Sequence, residues 1–127
     1  MNDAPNTEVF IVEDSRIVRD ALVDLLECAP GVSIVGSAED AETAIAAISR
    51  HPPDYVVLDY QLAGGSAVDV LRAVRPVAPA TVFIVLTNHA TAPYRKVCVE
   101  AGANWFLDKS SEFAAVKQII TGLRTTS

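Results

Sequence analysis

The sequence predicts an α/β fold: a three-layer, doubly wound parallel sheet of five strands with helices on both faces. Two observations lead there. Apolar segments of two different periods alternate along the 127 residues. The strand-like segments are also apolar throughout, without the in-out alternation of a sheet that keeps one wet face. Strands of that kind are covered on both sides, and helices between them make parallel crossovers.

The elements follow in order. "VFIVED" opens with a first strand, Val9 to Val12. "SRIVRDALVDLLECAPG" repeats Ile17, Val18, Ala21, Leu22, Leu25 and Leu26 at helical spacing, and Pro30-Gly31 stops the helix. "VSIVGSA" is a second short strand. "DAETAIAAISRHPP" is a second helix, with Asp40 as N-cap and Pro52-Pro53 at its end. "YVVLD" is a third strand. After the loop "YQLAGG", Ser66 caps a helix running to about Val74. "ATVFIVLT" is the fourth strand, and "APYRKVCVEAG" the fourth helix, which Gly102 ends. "NWFLDK" is the fifth strand. "SEFAAVKQIITGL" is the fifth helix, with Phe113, Val116, Ile120 and Leu123 as its apolar stripe.

A chain of 127 residues suits one domain with one core, and half of it is apolar. The net charge of −6 argues against nucleic acid or an anionic membrane as the direct partner. No apolar run is long enough to span a bilayer. "MNDAPNTE" has no basic flank and no apolar stretch of the secretory kind, so a cytoplasmic location is expected. Cys28 and Cys98 have no motif spacing and are expected as reduced thiols in or near the core. There are no repeats, no low-complexity run and no linker. "GLRTTS" reads as a fraying end. The chain is either a stand-alone domain or one cut from a longer protein.

In an open parallel sheet, sites form outside the carboxyl ends of the strands. Strand one ends in Glu13-Asp14, strand three in Asp59, strand four in Thr87, and strand five near Lys109. Strand two ends in nothing chemical. Carboxylates gathered at one edge are costly without a cation. Oxygen ligands of this kind suit Mg²⁺, which keeps several waters and takes further oxygens from a phosphoryl group. Lys109 and Thr87 supply donors for the remaining phosphoryl oxygens. Asp59, in the middle of the set, is the natural nucleophile, because a carboxylate can attack phosphorus and form an acyl phosphate.

The acidic pair, "VVLDYQL", "VLTNHA" and "GANWFLDK" together resemble the receiver domain of two-component response regulators, from about Val9 to Leu123. Each motif is weak alone; four of them in order at strand ends are specific. The resemblance implies a flavodoxin-like sheet of strand order 2-1-3-4-5 and a single receiver domain over residues 1–127. It implies that Asp59 takes a phosphoryl group from a histidine kinase or a histidine phosphotransfer protein. Asp14 would ligate Mg²⁺, Glu13 would act nearby, often through water, and the Gln61 backbone carbonyl would be a further ligand. Lys109 would pair with the phosphoryl group and Thr87 would swing towards it. Phe106 would be the aromatic switch that turns inward as Thr87 moves. The face of helix four, strand five and helix five would then change, controlling a downstream protein or an output domain absent from this sequence. A homodimer through that face is also compatible with the resemblance.

Several positions depart from the family pattern. Ser110 stands where a proline, usually after a cis bond, often follows the lysine. Ala63 replaces a frequent proline and Ala67 a frequent glycine. Asn88 follows Thr87 where a small residue is common, and Phe106 lacks the hydroxyl of the usual tyrosine. None of these removes a chemical group that the mechanism needs.

Plainer readings exist for each residue. Asp59 alone would be a turn residue, and Glu13 and Asp14 could cap the first helix. Thr87 could be an ordinary strand end, Lys109 a solvated charge and Phe106 a core ring. Trp105, opposite Phe106 by alternation, is either packed or an exposed partner contact. His89 reads as a loop residue, and Tyr94, Arg95 and Lys96 as a solvated face. A haloacid-dehalogenase-type hydrolase would want a second acid two residues after Asp59, where Gln61 stands. A dinucleotide-binding domain would want glycines in "EDSRIV". A receiver fold acting without phosphorylation remains the alternative to a phosphoacceptor.

Overall fold

The computed structural model describes residues 6–122. Its central sheet has five strands: β1 (Thr7–Val12), β2 (Val32–Ala38), β3 (Tyr55–Asp59), β4 (Val82–Thr87) and β5 (Trp105–Asp108). All neighbours are parallel, in the order β2-β1-β3-β4-β5. The helices are α1 (Arg16–Glu27), α2 (Ala41–Arg50), α3 (Ala67–Val74), α4 (Ala92–Ala101) and α5 (Ala115–Thr121). The expected doubly wound sheet and its strand order are both present.

The missing in-out alternation now has its cause. Phe10, Val12, Val56, Leu58, Phe83, Val85 and Phe106 face one way, against α2, α3 and α4. Val9, Ile11, Val57, Ile84, Leu86 and Leu107 face the other, against α1 and α5. Side chains still alternate with period two, but both destinations are dry. At the β1–β2 pairing the register shifts between Val9 and Phe10, and the edge residue Val35 is left exposed. Gly36 lies against the Phe10 ring so closely that a Cβ there would meet Cε1 at 2.9 Å.

Local signals set the ends of the elements. The Asp40 carboxylate accepts from Thr43 N–H at 2.9 Å and caps α2. Ser66 begins α3, and the Asp69 carboxylate accepts from its N–H at 3.0 Å. Gly102 ends α4 at φ +117°, a region that favours glycine. The loop before α3 folds into a two-residue antiparallel ladder, Gln61–Leu62 with Gly65–Ser66. Ala63 bridges to Asp40, and Ala67 N–H donates to the Tyr60 carbonyl at 2.8 Å, so both alanines at departure positions sit in a closed loop.

Four expectations need correction or restriction. Ile17 is 83 % exposed and Ala21 is exposed as well. The buried face of α1 is set by Leu22 and Leu26, with Val18 and Leu25 beside them, and Ile17 and Ala21 fall on the outer side. Helix α5 starts at Ala115, later than the sequence suggests. A turn holds the preceding residues: Glu112 N–H donates to the Asp108 carbonyl, and Asp108 N–H donates to Glu112 Oε1, each at 2.8 Å. Cys98 is buried and Cys28 is exposed; both are free thiols, so the core expectation fails for Cys28. Leu123, expected on the stripe of α5, and the terminal segment after it lie outside the described residues.

Candidate functional site

Parallel register brings the strand ends together. Asp59 pairs with Leu86 across β3 and β4, and Thr87 pairs with Asp108 across β4 and β5. Glu13 and Asp14 follow the last residue of β1, whose Val12 is level with Leu58. Lys109 follows β5, and its N–H donates to the Thr87 carbonyl at 2.8 Å. All five residues therefore stand at one edge.

The Lys109 ammonium joins two of the acids. Nζ lies 3.1 Å from Glu13 Oε1 and 3.2 Å from Asp59 Oδ1. Glu13 is 1 % exposed. Its other oxygen, Oε2, accepts from Ser15 N–H at 3.0 Å. Asp14 is exposed, and among the described residues its carboxylate makes no hydrogen bond. The cap of α1 is neither acid: Ser15 Oγ accepts from Val18 N–H at 3.3 Å. Oxygens of Glu13, Asp14 and Asp59 all lie within 4.8 Å of one another.

The electrostatics are strained in a definite direction. Burial pushes the Glu13 carboxyl above its ordinary value, against the Ser15 N–H; the Asp59 charge pushes it up further and Lys109 opposes it. Burial likewise raises the Asp59 carboxyl, with Lys109 opposing it and Asp14 adding repulsion. For Lys109, burial alone would favour the neutral amine, but the Asp59 and Glu13 charges outweigh it and raise its value. One ammonium, paired with two of them, thus stands in a cluster of three carboxylates. An all-oxygen donor set with an uncompensated negative charge fits a hard divalent cation.

The remaining expected residues lie along β4 and β5 and in the segments that follow β3 and β5. Thr87 is 2 % exposed, and its Oγ1 accepts from His89 N–H at 3.0 Å, which leaves the hydroxyl proton available to donate. Gln61 is exposed at the start of the small ladder after Asp59. Phe106 is buried at 3 % exposure in the cluster of Cys98, Phe83 and Ala103, and the Arg95 guanidinium carbon lies 5.2 Å from its ring centroid. Trp105 is 46 % exposed, the outward option of the two expected from alternation. Ser110 uses the N–H that a proline would lack: Asp108 Oδ1 accepts from Ser110 N–H at 2.8 Å, from its hydroxyl at 2.7 Å and from Ser111 N–H at 3.2 Å.

The sequence pattern of the response regulator receiver domain matches residues 9–121. The chain belongs to the response regulator receiver family. The receiver is 32 % identical over 112 residues to the nitrate/nitrite response regulator protein NarP of Escherichia coli strain K12, covering 88 % of this chain and 52 % of that protein. The signal receiver domain of the putative response regulator NarL from Mycobacterium tuberculosis superposes with a TM-score of 0.84 at 27 % identity, over 95 % of this chain and 100 % of that one. A LuxR-family two-component response regulator from Aurantimonas sp. SI85-9A1 gives 0.82 at 29 % identity, over 96 % and 90 %. The receiver spans about half the length of the curated relatives it matches. Among the described residues no helix is long and apolar enough to cross a membrane.

Sequence reasoning missed three supports of the site. Tyr60, next to Asp59, packs edge-on against Tyr94 of α4, with ring centroids 4.8 Å apart. Ser15, taken only as the opening of a helical segment, donates its N–H to Glu13 and caps α1 through its hydroxyl. Arg19 donates to the Glu13 carbonyl at 2.9 Å. The available signal was a cation in the first turn of α1, where the helix dipole disfavours it and another partner must hold it.

Proposed function

We propose that Asp59 is the phosphoacceptor of this receiver, taking a phosphoryl group from a histidine kinase or a histidine phosphotransfer protein in the cytoplasm. The observation that carries the reading is the Lys109 ammonium held between Asp59 and Glu13, with Asp14 beside them. The residues fit Mg²⁺: Asp14 and Asp59 would hold it, with the Gln61 carbonyl, and Glu13 through water. When bound, Mg²⁺ supplies positive charge against the phosphoryl oxygens and the attacking carboxylate.

The chain's own groups do the rest. An Asp59 carboxylate oxygen forms a bond to phosphorus as the bond from phosphorus to the donor's imidazole nitrogen breaks. The electron pair stays on that nitrogen. Lys109 orients Asp59 before transfer and donates to a phosphoryl oxygen after it. The Thr87 hydroxyl donates to another. Hydrolysis of the acyl phosphate later returns the free carboxylate, so the domain is a signalling phosphoacceptor and not a metabolic enzyme. The new charge at Asp59 draws Thr87 from His89 N–H and biases Phe106 and the α4–β5–α5 face. That face would control a downstream protein or output domain, or pair with a second copy. In this reading the 127 residues form a single receiver domain.

Intact-protein mass tests the reading. Wild type and Asp59→Asn are incubated with acetyl phosphate, with and without Mg²⁺, and then with a histidine-phosphorylated donor. The expected result is one added phosphoryl mass that requires Mg²⁺ and is absent in the variant. No gain from either donor, under conditions that label another receiver, overturns the reading in favour of a phosphate-independent interaction module.

A further inference from the structure

Arg19 plays no part in phosphoryl transfer as described above, yet it holds the acidic pair from behind. Its guanidinium makes two contacts. Nη1 donates to the Glu13 backbone carbonyl at 2.9 Å, and Nη2 stands 3.2 Å from Glu39 Oε2. The Arg19 side chain is 17 % exposed, while the Glu39 side chain is 63 % exposed. Glu39 follows Ala38, the last residue of β2, so the arginine ties α1 to the loop beyond the sheet's edge strand.

With Arg19 in place, every polar atom of Glu13 is engaged. Its N–H donates to the Ala38 carbonyl at 3.0 Å, and its carbonyl accepts from Arg19. Oε1 faces Lys109 and Oε2 faces Ser15 N–H. The peptide that leads to Asp14 is therefore fixed in its plane. The Asp14 carboxylate is exposed and makes no hydrogen bond among the described residues. One acid is locked, and the next is presented from a locked backbone with its own oxygens uncommitted.

We infer that Arg19 is a positioning residue for the divalent-cation site, clamping the Glu13–Asp14 peptide with Glu39 as its anchor. The inference rests on the reading of this pocket as a Mg²⁺ site. Arg19 acts through the Glu13 carbonyl. A planar fork suits the task, because it reaches a carbonyl and a carboxylate at once in fixed geometry.

The sign of the effect separates positioning from simple electrostatics. A positive charge near a cation site repels the cation, so removing it should tighten Mg²⁺ binding if charge were all that mattered. Loss of positioning weakens binding instead, and residues that orient metal ligands typically change affinity about 10–100-fold when removed.

Isothermal titration calorimetry of the 127-residue chain with MgCl₂ reads this directly, with urea midpoints to compare folding. Arg19→Ala is expected to weaken Mg²⁺ binding about tenfold. Arg19→Lys, which keeps the charge but not the fork, is expected to fall between the two and keeps the test open if the alanine variant folds poorly. Glu39→Gln is expected to weaken binding in wild type and to add nothing in Arg19→Ala. Wild type that binds no Mg²⁺ overturns the reading of the site, and this inference with it. Wild type that binds while folded Arg19→Ala or Arg19→Lys binds as well or better overturns the inference alone. An additive loss from Glu39→Gln in Arg19→Ala overturns the anchor.

Discussion

The Lys109 ammonium stands 3.2 Å from Asp59 Oδ1, yet the Asp59 carboxyl is still harder to ionise in the folded protein than in water. Burial is the larger effect, and Asp14 adds repulsion. The folded state thus binds the Asp59 proton more tightly than the unfolded state. Stability from this group is fullest below the unfolded value, near pH 4, and is lost as pH rises through the folded value. Asp59→Asn removes that loss. The variant's urea midpoint should exceed that of wild type at pH 7, and the difference should close towards about pH 3.5. A variant no more stable than wild type at neutral pH would contradict this account of the site.

Lys109 itself stabilises the acids it separates. Glu13 has a nearly inaccessible side chain, and Lys109→Met leaves it and Asp59 facing each other without a counter-charge. The expected cost is about 3 kcal/mol, the scale of removing one partner from a buried ion pair. Adding Glu13→Gln to Lys109→Met should recover much of it, since the orphaned charge goes too. Urea denaturation of the two single variants and the double variant measures the coupling. Simple additivity would mean that the pair acts through packing alone.

The site was legible because a parallel sheet converts sequence order into geometry. Each doubly buried strand announces itself by apolar runs, and its next residues must lie at one edge. Glu13, Asp14, Asp59, Thr87 and Lys109 were found that way. Asp40 and Gly102 were legible because caps are local chemistry. The start of α5 was not, because a turn built on Asp108 and Glu112 competes with the helix for the same residues. Ile17 misled because an apolar residue in an amphipathic pattern has no obligation to be buried. Arg19 was only half legible. Its charge in the first turn of α1 asks for a partner, but the partners are a backbone carbonyl and a carboxylate set by tertiary folding, and the sequence carries no distance to them.

Arg95 sits over the ring proposed above as the aromatic switch. Its guanidinium lies over the Phe106 ring, and Phe106 has no hydroxyl to fix an inward position. A cation–π contact at such a site is worth about 0.5–1 kcal/mol, a shift of roughly two- to fivefold between inward and outward populations. Arg95→Ala should therefore release Phe106 part of the time. Fluorine NMR with labelled phenylalanine suits the question, since the chain has only four. The Phe106 signal should broaden or split in Arg95→Ala and change less in Arg95→Lys. An unchanged signal would assign the inward position to the Cys98 and Phe83 cluster alone.

At the opposite end of the strands, Arg75 joins three segments. Nη1 donates to the Ala78 and Thr81 carbonyls at 3.1 and 2.7 Å, and Nη2 to the Gly102 carbonyl and Asn104 Oδ1 at 2.9 and 2.8 Å. Asn104 Oδ1 also accepts from Phe83 N–H at 2.8 Å, and the guanidinium carbon lies 4.8 Å from the Phe83 ring centroid. The start of β4 and the turn between α4 and β5 are thereby locked to the end of α3. Arg75→Ala strands several acceptors and should cost about 3 kcal/mol. Arg75→Lys should recover less than half, because a single ammonium cannot replace a planar fork. Gly102→Ala should strain the same joint, since its backbone is left-handed and a Cβ would meet Arg75 Cγ at 2.9 Å. In these variants, under conditions where they stay folded, labelling of Asp59 by acetyl phosphate should proceed at the wild-type rate, because the joint lies a strand's length from the pocket. Arg75→Lys as stable as wild type would reduce the joint to a generic charge contact. A labelling rate that falls with stability restored would instead connect the two ends of the sheet.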